Sequence, residues 1–123
     1  MYRILLVEDE IEILKVVKEY LVKKGFDVVS APTGRSAVDI IASGKAVDLV
    51  VLDVKMPQMT GFDCLKEIRK IKAGIPAIFV TGGIDRIRYI DTVKSLGCEI
   101  DDVLQKPVNL HELIDRIKSK LGG

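Results

Sequence analysis

Glu8, Asp9, Asp53, Thr81 and Lys106 each stand where an apolar run of the chain ends. Ile4-Leu5-Leu6-Val7 stops on Glu8-Asp9, Leu49-Val50-Val51-Leu52 on Asp53, Ala77-Ile78-Phe79-Val80 on Thr81, and Val103-Leu104-Gln105 on Lys106-Pro107. As parallel strands of one sheet, these runs would line a single rim with three carboxylates, a hydroxyl and an ammonium. Hard divalent cations take oxygen ligands, keep several waters, and are held by one or two carboxylates together with phosphate oxygens. An ammonium forms charge-assisted hydrogen bonds to phosphoryl oxygens. The rim therefore reads as a metal-plus-phosphoryl site.

Each residue also has a plainer reading. Asp9 could cap a helix beginning near Glu10, with Glu12 three residues on as in a capping box. Asp53 resists such a reading, because an acid closing a fully apolar strand must be solvated, paired or metal-bound. Lys106 could pair with Asp53 in the empty site, or be a solvated lysine at a strand end. A cis Lys106-Pro107 bond would aim it inward, and the sequence leaves the isomer open. Thr81 could give its hydroxyl to a phosphoryl group, or end a strand before the Gly82-Gly83 turn. Ser43-Gly44-Lys45 resembles part of a phosphate loop, but Asp39 and Ala46 occupy the positions that need glycine and Ser/Thr. His111 is the single histidine and is expected on the surface, so histidine-based nucleophilic catalysis has no support.

The elements that must position these residues alternate along the whole chain. Ile13, Leu14, Val17 and Leu21 mark one helical face, which stops at Lys24-Gly25. Phe26–Val29 reads as a second strand, and Ala37, Ile40 and Ile41 as a small helical stripe ending near Gly44. The Asp53 strand leads into Met56-Pro57 and a helix carrying Leu65, Ile68 and Ile71, closed by Gly74. Pro76 opens the fourth strand. Leu110, Leu113, Ile114, Ile117 and Leu121 give the last helix a 3.6-residue stripe. This alternation predicts an α/β, doubly wound, five-stranded parallel sheet with five helices. The three fully apolar runs should be internal and the Phe26 and Val103 strands should be edges, which fits order 2-1-3-4-5. The switch point of that flavodoxin-like order lies between the first and third strands, where Glu8-Asp9 and Asp53 end.

Composition bounds the rest. The 123 residues suit one domain, 48% apolar and 30% charged, as expected of a soluble globular protein. A net charge of +1 argues against a broad nucleic-acid surface. No apolar run approaches the roughly 18 residues of a membrane span, and no signal peptide precedes the first strand. Cys64 and Cys98 form neither a disulfide framework nor a metal cluster. The expected compartment is the cytoplasm.

With these residues in place, the chain closely resembles the response-regulator receiver domain of two-component signalling, of the chemotaxis-regulator kind, over essentially residues 1–123. The resemblance rests on the acidic pair, Asp53, Met56-Pro57 with Gly61, Thr81, and Lys106-Pro107, each after its strand. It implies that Asp53 takes a phosphoryl group from a phosphohistidine on a sensor histidine kinase or phosphotransfer protein. Mg2+ (or Mn2+) would be bound by Asp9, Asp53 and the backbone carbonyl of Lys55, with Glu8 acting through water. Thr81, Lys106 and backbone N–H groups near Val54 and Gly82 would hold the phosphoryl oxygens. The chain would then be a phosphoacceptor that promotes its own aspartyl phosphorylation and dephosphorylation, rather than a turnover enzyme. It would switch contact with a downstream effector.

Two features depart from that pattern. The position three before Lys106, usually Tyr or Phe, is Val103, so an output through a swinging ring is not expected. The Gly97–Lys106 connection is longer by two residues than usual. A haloacid-dehalogenase-type phosphatase would need an acid at Lys55, and a pure interaction module would not need Asp9, Asp53, Thr81 and Lys106 together. Phosphorylation is expected to move the loop after Thr81 and the fourth helix. In that helix Ile84, Ile87, Ile90, Val93 and Leu96 spread over an arc of about 240°, with Tyr89 beside Leu96, which reads either as a partner or dimer contact or as a partly 3-10 or deeply packed helix. No stretch reads as a DNA-binding or ATPase output domain, which leaves a stand-alone regulator or a piece of a longer protein.

Overall fold

Arg3–Val7 (β1), Asp27–Ala31 (β2), Leu49–Asp53 (β3), Ala77–Thr81 (β4) and Val103–Gln105 (β5) pair in parallel as one sheet, in the order β2-β1-β3-β4-β5. The computed structural model describes residues 1–82 and 87–122, with helices α1 (Ile11–Lys23), α2 (Gly34–Ala42), α3 (Gly61–Ile71), α4 (Ile90–Ser95) and α5 (Leu110–Leu121). The doubly wound, flavodoxin-like topology expected from the alternation is the one observed, with β2 and β5 at the edges.

Side-chain alternation along the strands divides the core into two layers. Ile4, Leu6, Val51, Ile78, Val80 and Leu104 pack with α1 and α5 on one face. Leu5, Val7, Val50, Leu52, Phe79 and Val103 pack with α2, α3 and α4 on the other. Burial on both faces explains why Ile4–Val7 of β1 has no polar position and why β3 and β4 have none before their last residues, Asp53 and Thr81. The register then brings those ends together: Val7 stands opposite Leu52, Asp53 opposite Val80, and Thr81 opposite Gln105.

Local signals fix where the helices start. Thr33 accepts from the Ser36 N–H at 3.0 Å in a capping box, Thr60 from Asp63 at 3.1 Å, and Asn109 from Glu112 at 3.0 Å. The Asp9 capping expectation is corrected: the N-cap of α1 is Glu10, without a side-chain cap bond, so Asp9 is left for other work. Gly61 opens α3 directly beneath the end of β3. Its N–H donates to the Val54 carbonyl at 2.9 Å, and a Cβ there would overlap the Asp53 backbone oxygen.

The fourth helix takes the partly 3-10 form that its spacing left open beside the exposed arc. Among the described residues a 3-10 turn, Ile87–Tyr89, leads into α4. Of the described apolar positions only Ile87 lies in the 3-10 turn, while Ile90 and Val93 fall on α4, so the three-residue spacing still spreads around the helix. Ile87 is 76% exposed, whereas Val93 is buried and Ile90 and Leu96 are half-buried. Tyr89 lies not on an outer arc but edge-on against Phe62, with ring centroids 5.0 Å apart, and Phe62 in turn packs on Phe79 at 4.8 Å. Ile84 lies outside the described residues.

Candidate functional site

The rim at the carboxyl ends of β1, β3, β4 and β5 gathers every residue singled out by the strand-end pattern. Glu8, Asp9 and Asp53 each direct a carboxylate oxygen so that the three lie within 4.8 Å of one another. Glu8 and Asp53 are buried and Asp9 is half-buried. Hard oxygen donors from neighbouring strands at this spacing fit a small divalent cation. The backbone N–H of Lys55 donates to Asp53 Oδ1 at 3.3 Å, so the turn after β3 folds back over the same carboxylate.

Lys106 reaches into this acidic group. Its Nζ is 3.0 Å from Asp53 Oδ2, 3.1 Å from Glu8 Oε1 and 3.8 Å from Glu10 Oε1. The Lys106–Pro107 bond is cis, the isomer that the sequence left open. The Lys106 N–H donates to the Thr81 carbonyl at 2.7 Å, which ties the end of β5 to the end of β4. Burial alone would lower the lysine pKa, but its bonds to Asp53 and Glu8 outweigh that and hold it above the ordinary value. Burial pushes Glu8 up to about 7, with help from the neighbouring Asp53 charge and against the Glu10 N–H and Lys106. The metal-free rim therefore holds a proton on Glu8 more firmly than water would.

Thr81 completes the set differently. Its side chain is wholly buried, and Oγ1 has no hydrogen-bond partner among the described residues. Buried hydroxyls are nearly always satisfied, so this one, on the residue whose carbonyl accepts from the Lys106 N–H, has a hydrogen bond to give to a ligand oxygen. Beneath the rim, between α1 and α5, a cavity of about 580 Å³ is lined by Leu6, Val17, Val51 and Leu113, with Glu8 and Lys106 at its polar end.

A family model for the response regulator receiver domain matches residues 4–118. The chain belongs to that family. Response regulator SaeR of Staphylococcus aureus is 31% identical over 121 residues, covering 98% of this chain and 51% of that protein. This receiver therefore spans about half the length of the curated relatives it matches. A CheY-like receiver domain protein from Methanospirillum hungatei superposes with a TM-score of 0.87 at 31% identity, covering 99% of this chain and 94% of that one. The chemotaxis protein CheY4 of Vibrio cholerae gives a TM-score of 0.84 at 29% identity, covering 97% and 98% of the two chains. The molecule is thus a two-component receiver, a phosphoacceptor signalling domain, in a family that generally uses Mg2+.

Several features of this receiver were hidden in its sequence. Glu8 lies as deep as Asp53 and touches Lys106 directly. Glu10 approaches the same ammonium from the start of α1. Val103, 1% exposed, sits opposite Phe79 where a ring was missed in the sequence, and the aromatic contacts run instead through Phe79, Phe62 and Tyr89. Only the three-residue apolar spacing around Tyr89 hinted at the 3-10 turn that brings this ring in. His111 is exposed, 3.6 Å from Asp115, away from the rim.

Proposed function

We propose that Asp53 is the phosphoacceptor of this receiver. The observation that carries the reading is the placement of Asp53, buried between an acidic pair and an ammonium, with one oxygen bonded to Lys106 and the other beside the turn of Lys55. A carboxylate oxygen of Asp53 forms the new P–O bond as the P–N bond of a partner's phosphohistidine breaks. The imidazole leaves with the electron pair and takes up a proton. Mg2+ (or Mn2+), held by Asp9, Asp53 and the Lys55 carbonyl with Glu8 acting through water, supplies charge neutralisation at the phosphoryl oxygens when bound. Lys106 moves its bond from Asp53 to a phosphoryl oxygen, and the unpartnered Thr81 hydroxyl donates to another. Backbone N–H groups near Val54 and Gly82 serve the remaining oxygen. The same arrangement, presented to water, promotes dephosphorylation.

In this reading residues 1–123 act as one receiver. The phosphoryl donor is a sensor histidine kinase or a phosphotransfer protein in the cytoplasm. The charge of roughly −1.5 to −2 added at Asp53 draws Thr81 inward and shifts the segment between β4 and α4, changing contact with an effector. Val103 leaves that switch without a ring on β5. Ile87, exposed at the start of the 3-10 turn, is the described residue best placed for a fourth-helix contact with a partner or second copy.

Incubation with Mg2+ and a small phosphodonor such as phosphoramidate, followed by intact mass measurement, tests the proposal. One phosphoryl adduct on the natural chain and none on Asp53→Asn is expected. No adduct on the natural chain, or an equal adduct on the variant, would overturn it.

A further inference from the structure

Away from the rim, Asp102 is the most deeply buried acid among the described residues, at 1% exposure against 4% for Glu8 and Asp53. Its carboxylate is saturated. Oδ1 accepts from Arg116 Nε at 2.9 Å and Nη2 at 2.6 Å, while Oδ2 accepts from the Glu99 N–H at 2.9 Å and from Lys120 Nζ, also at 2.9 Å. Arg116 and Lys120 stand on successive turns of α5, so one buried acid is clamped across two turns of a helix.

The place of this clamp in the chain gives it its consequence. Asp102 ends a 3-10 turn, Ile100–Asp102, and directly precedes β5. That strand is three residues long, lies at the sheet edge and pairs with β4 alone. Lys106 follows directly on its last residue, Gln105. An extended segment has no slack to absorb a shift at its start, because its length is set by bond geometry. A displacement of Asp102 is therefore passed along β5 to the lysine. At that end the Lys106 N–H bonds to the Thr81 carbonyl, and its Nζ to Asp53 and Glu8.

We infer that Asp102 is a positioning residue for Lys106: by pinning the start of β5 to α5, it sets where the ammonium stands relative to Asp53 and a phosphoryl group there. The ligand part of this inference rests on the phosphoacceptor reading above; the anchoring part does not. Arg116 and Lys120 keep about a fifth of their side chains exposed, at 23% and 18%, so removing the acid leaves cations that water can reach, and the fold of Asp102→Asn should survive.

The test has two arms. In ligand-free protein, amide hydrogen exchange should show that Asp102→Asn loses protection at the Lys106 N–H while the Val54 N–H, which bonds to Val80 in the sheet centre, keeps it. Equal protection at Lys106 in both proteins would overturn the anchoring. In the second arm, binding of Mg2+ and of beryllofluoride, a phosphoryl mimic, is measured for the natural chain, Asp102→Asn, Lys106→Met and the double variant. A misplacement of about 1 Å can cost up to 10²-fold at a reacting centre, so a loss of roughly tenfold or more in mimic affinity is expected for Asp102→Asn. Mg2+ affinity should not fall, and the double variant should bind the mimic no worse than Lys106→Met. Ile41→Val, which loosens the opposite layer, should leave mimic affinity unchanged. Parallel loss of Mg2+ binding, or losses that multiply in the double variant, would overturn the positioning role. Failure of the natural chain to bind either ligand would count against the phosphoacceptor reading instead, leaving the exchange arm to decide Asp102.

Discussion

Thr81 Oγ1 is wholly buried and unpartnered, which makes the residue a site of conflict between fold and ligand. Leaving a buried polar group unsatisfied costs about 1–3 kcal/mol, so Thr81→Val, which keeps the shape and removes the hydroxyl, should stabilise the metal-free protein by about 1 kcal/mol. The same variant should hold a phosphoryl mimic more weakly. Urea melts and mimic titration check both directions, and a destabilised valine variant would count against an orphaned hydroxyl. Glu8 gives a second residue-scale expectation. Its folded pKa of about 7 lies above its ordinary 4.5, so the native state binds the proton more tightly between those values. Its contribution to metal-free stability is present below about pH 4.5 and is lost as the pH rises through about 7. A cation needs the carboxylate ionised, so Mg2+ affinity should rise with pH up to about 7 and release a proton below it. Calorimetric Mg2+ titrations across this range should show that rise, and Glu8→Gln should flatten it. Which residues belong to the rim was legible, because Asp53, Thr81 and Lys106 each end an apolar run. The hydroxyl's isolation and the proton held by Glu8 were not, since both depend on what packs around them.

At the scale of elements, tight approach of α3 to the end of β3 holds the phosphoacceptor strand in place. Gly61→Ala would drive a Cβ into the Asp53 backbone oxygen, so a loss of about 1–3 kcal/mol is expected by thermal melting. An unchanged melting point would show that the two elements can separate. The Asp102 clamp predicts a different pH response. Burial would raise that carboxyl, but the Glu99 N–H, Lys120 and Arg116 outweigh it and hold it below the ordinary value. Its stabilisation is therefore present above about pH 4 and is lost as the pH falls through the lower folded pKa. Melting temperature should drop more shallowly on acidification in Asp102→Asn than in the natural chain. The strands, their order and the helix stripes were legible because burial on both sheet faces writes itself as unbroken apolar runs. The fourth helix was not, because a spacing of three suits either a wide α-helical arc or a 3-10 turn, and only the contact of Tyr89 with Phe62 distinguishes them. The clamp was also hidden: Asp102, Arg116 and Lys120 carry ordinary surface residue types, and nothing in their spacing reveals that the Ile100–Asp102 turn and α5 meet.

For the molecule as a whole, the carboxyl-end rim of the sheet concentrates like charge that Lys106 offsets directly, so stability and ligand state are linked. Removing one partner of a buried ion pair costs about 3 kcal/mol, and Lys106→Met should lower the melting temperature accordingly. Mg2+ should raise the melting temperature of both proteins, by about 2.7 kcal/mol of stability at a hundred times its dissociation constant. The rise should be larger for Lys106→Met at equal Mg2+, because the cation then replaces the missing ammonium. No change with Mg2+ in either protein would remove the acidic group as a metal site. Everything about this receiver turns on where the phosphoryl group lands. Borohydride reduces an aspartyl phosphate to homoserine, so treatment after phosphodonor and Mg2+, followed by peptide sequencing in the mass spectrometer, reads the acceptor directly. Homoserine at position 53 is the expected result; homoserine at Asp9 or elsewhere, or none at all, would contradict it.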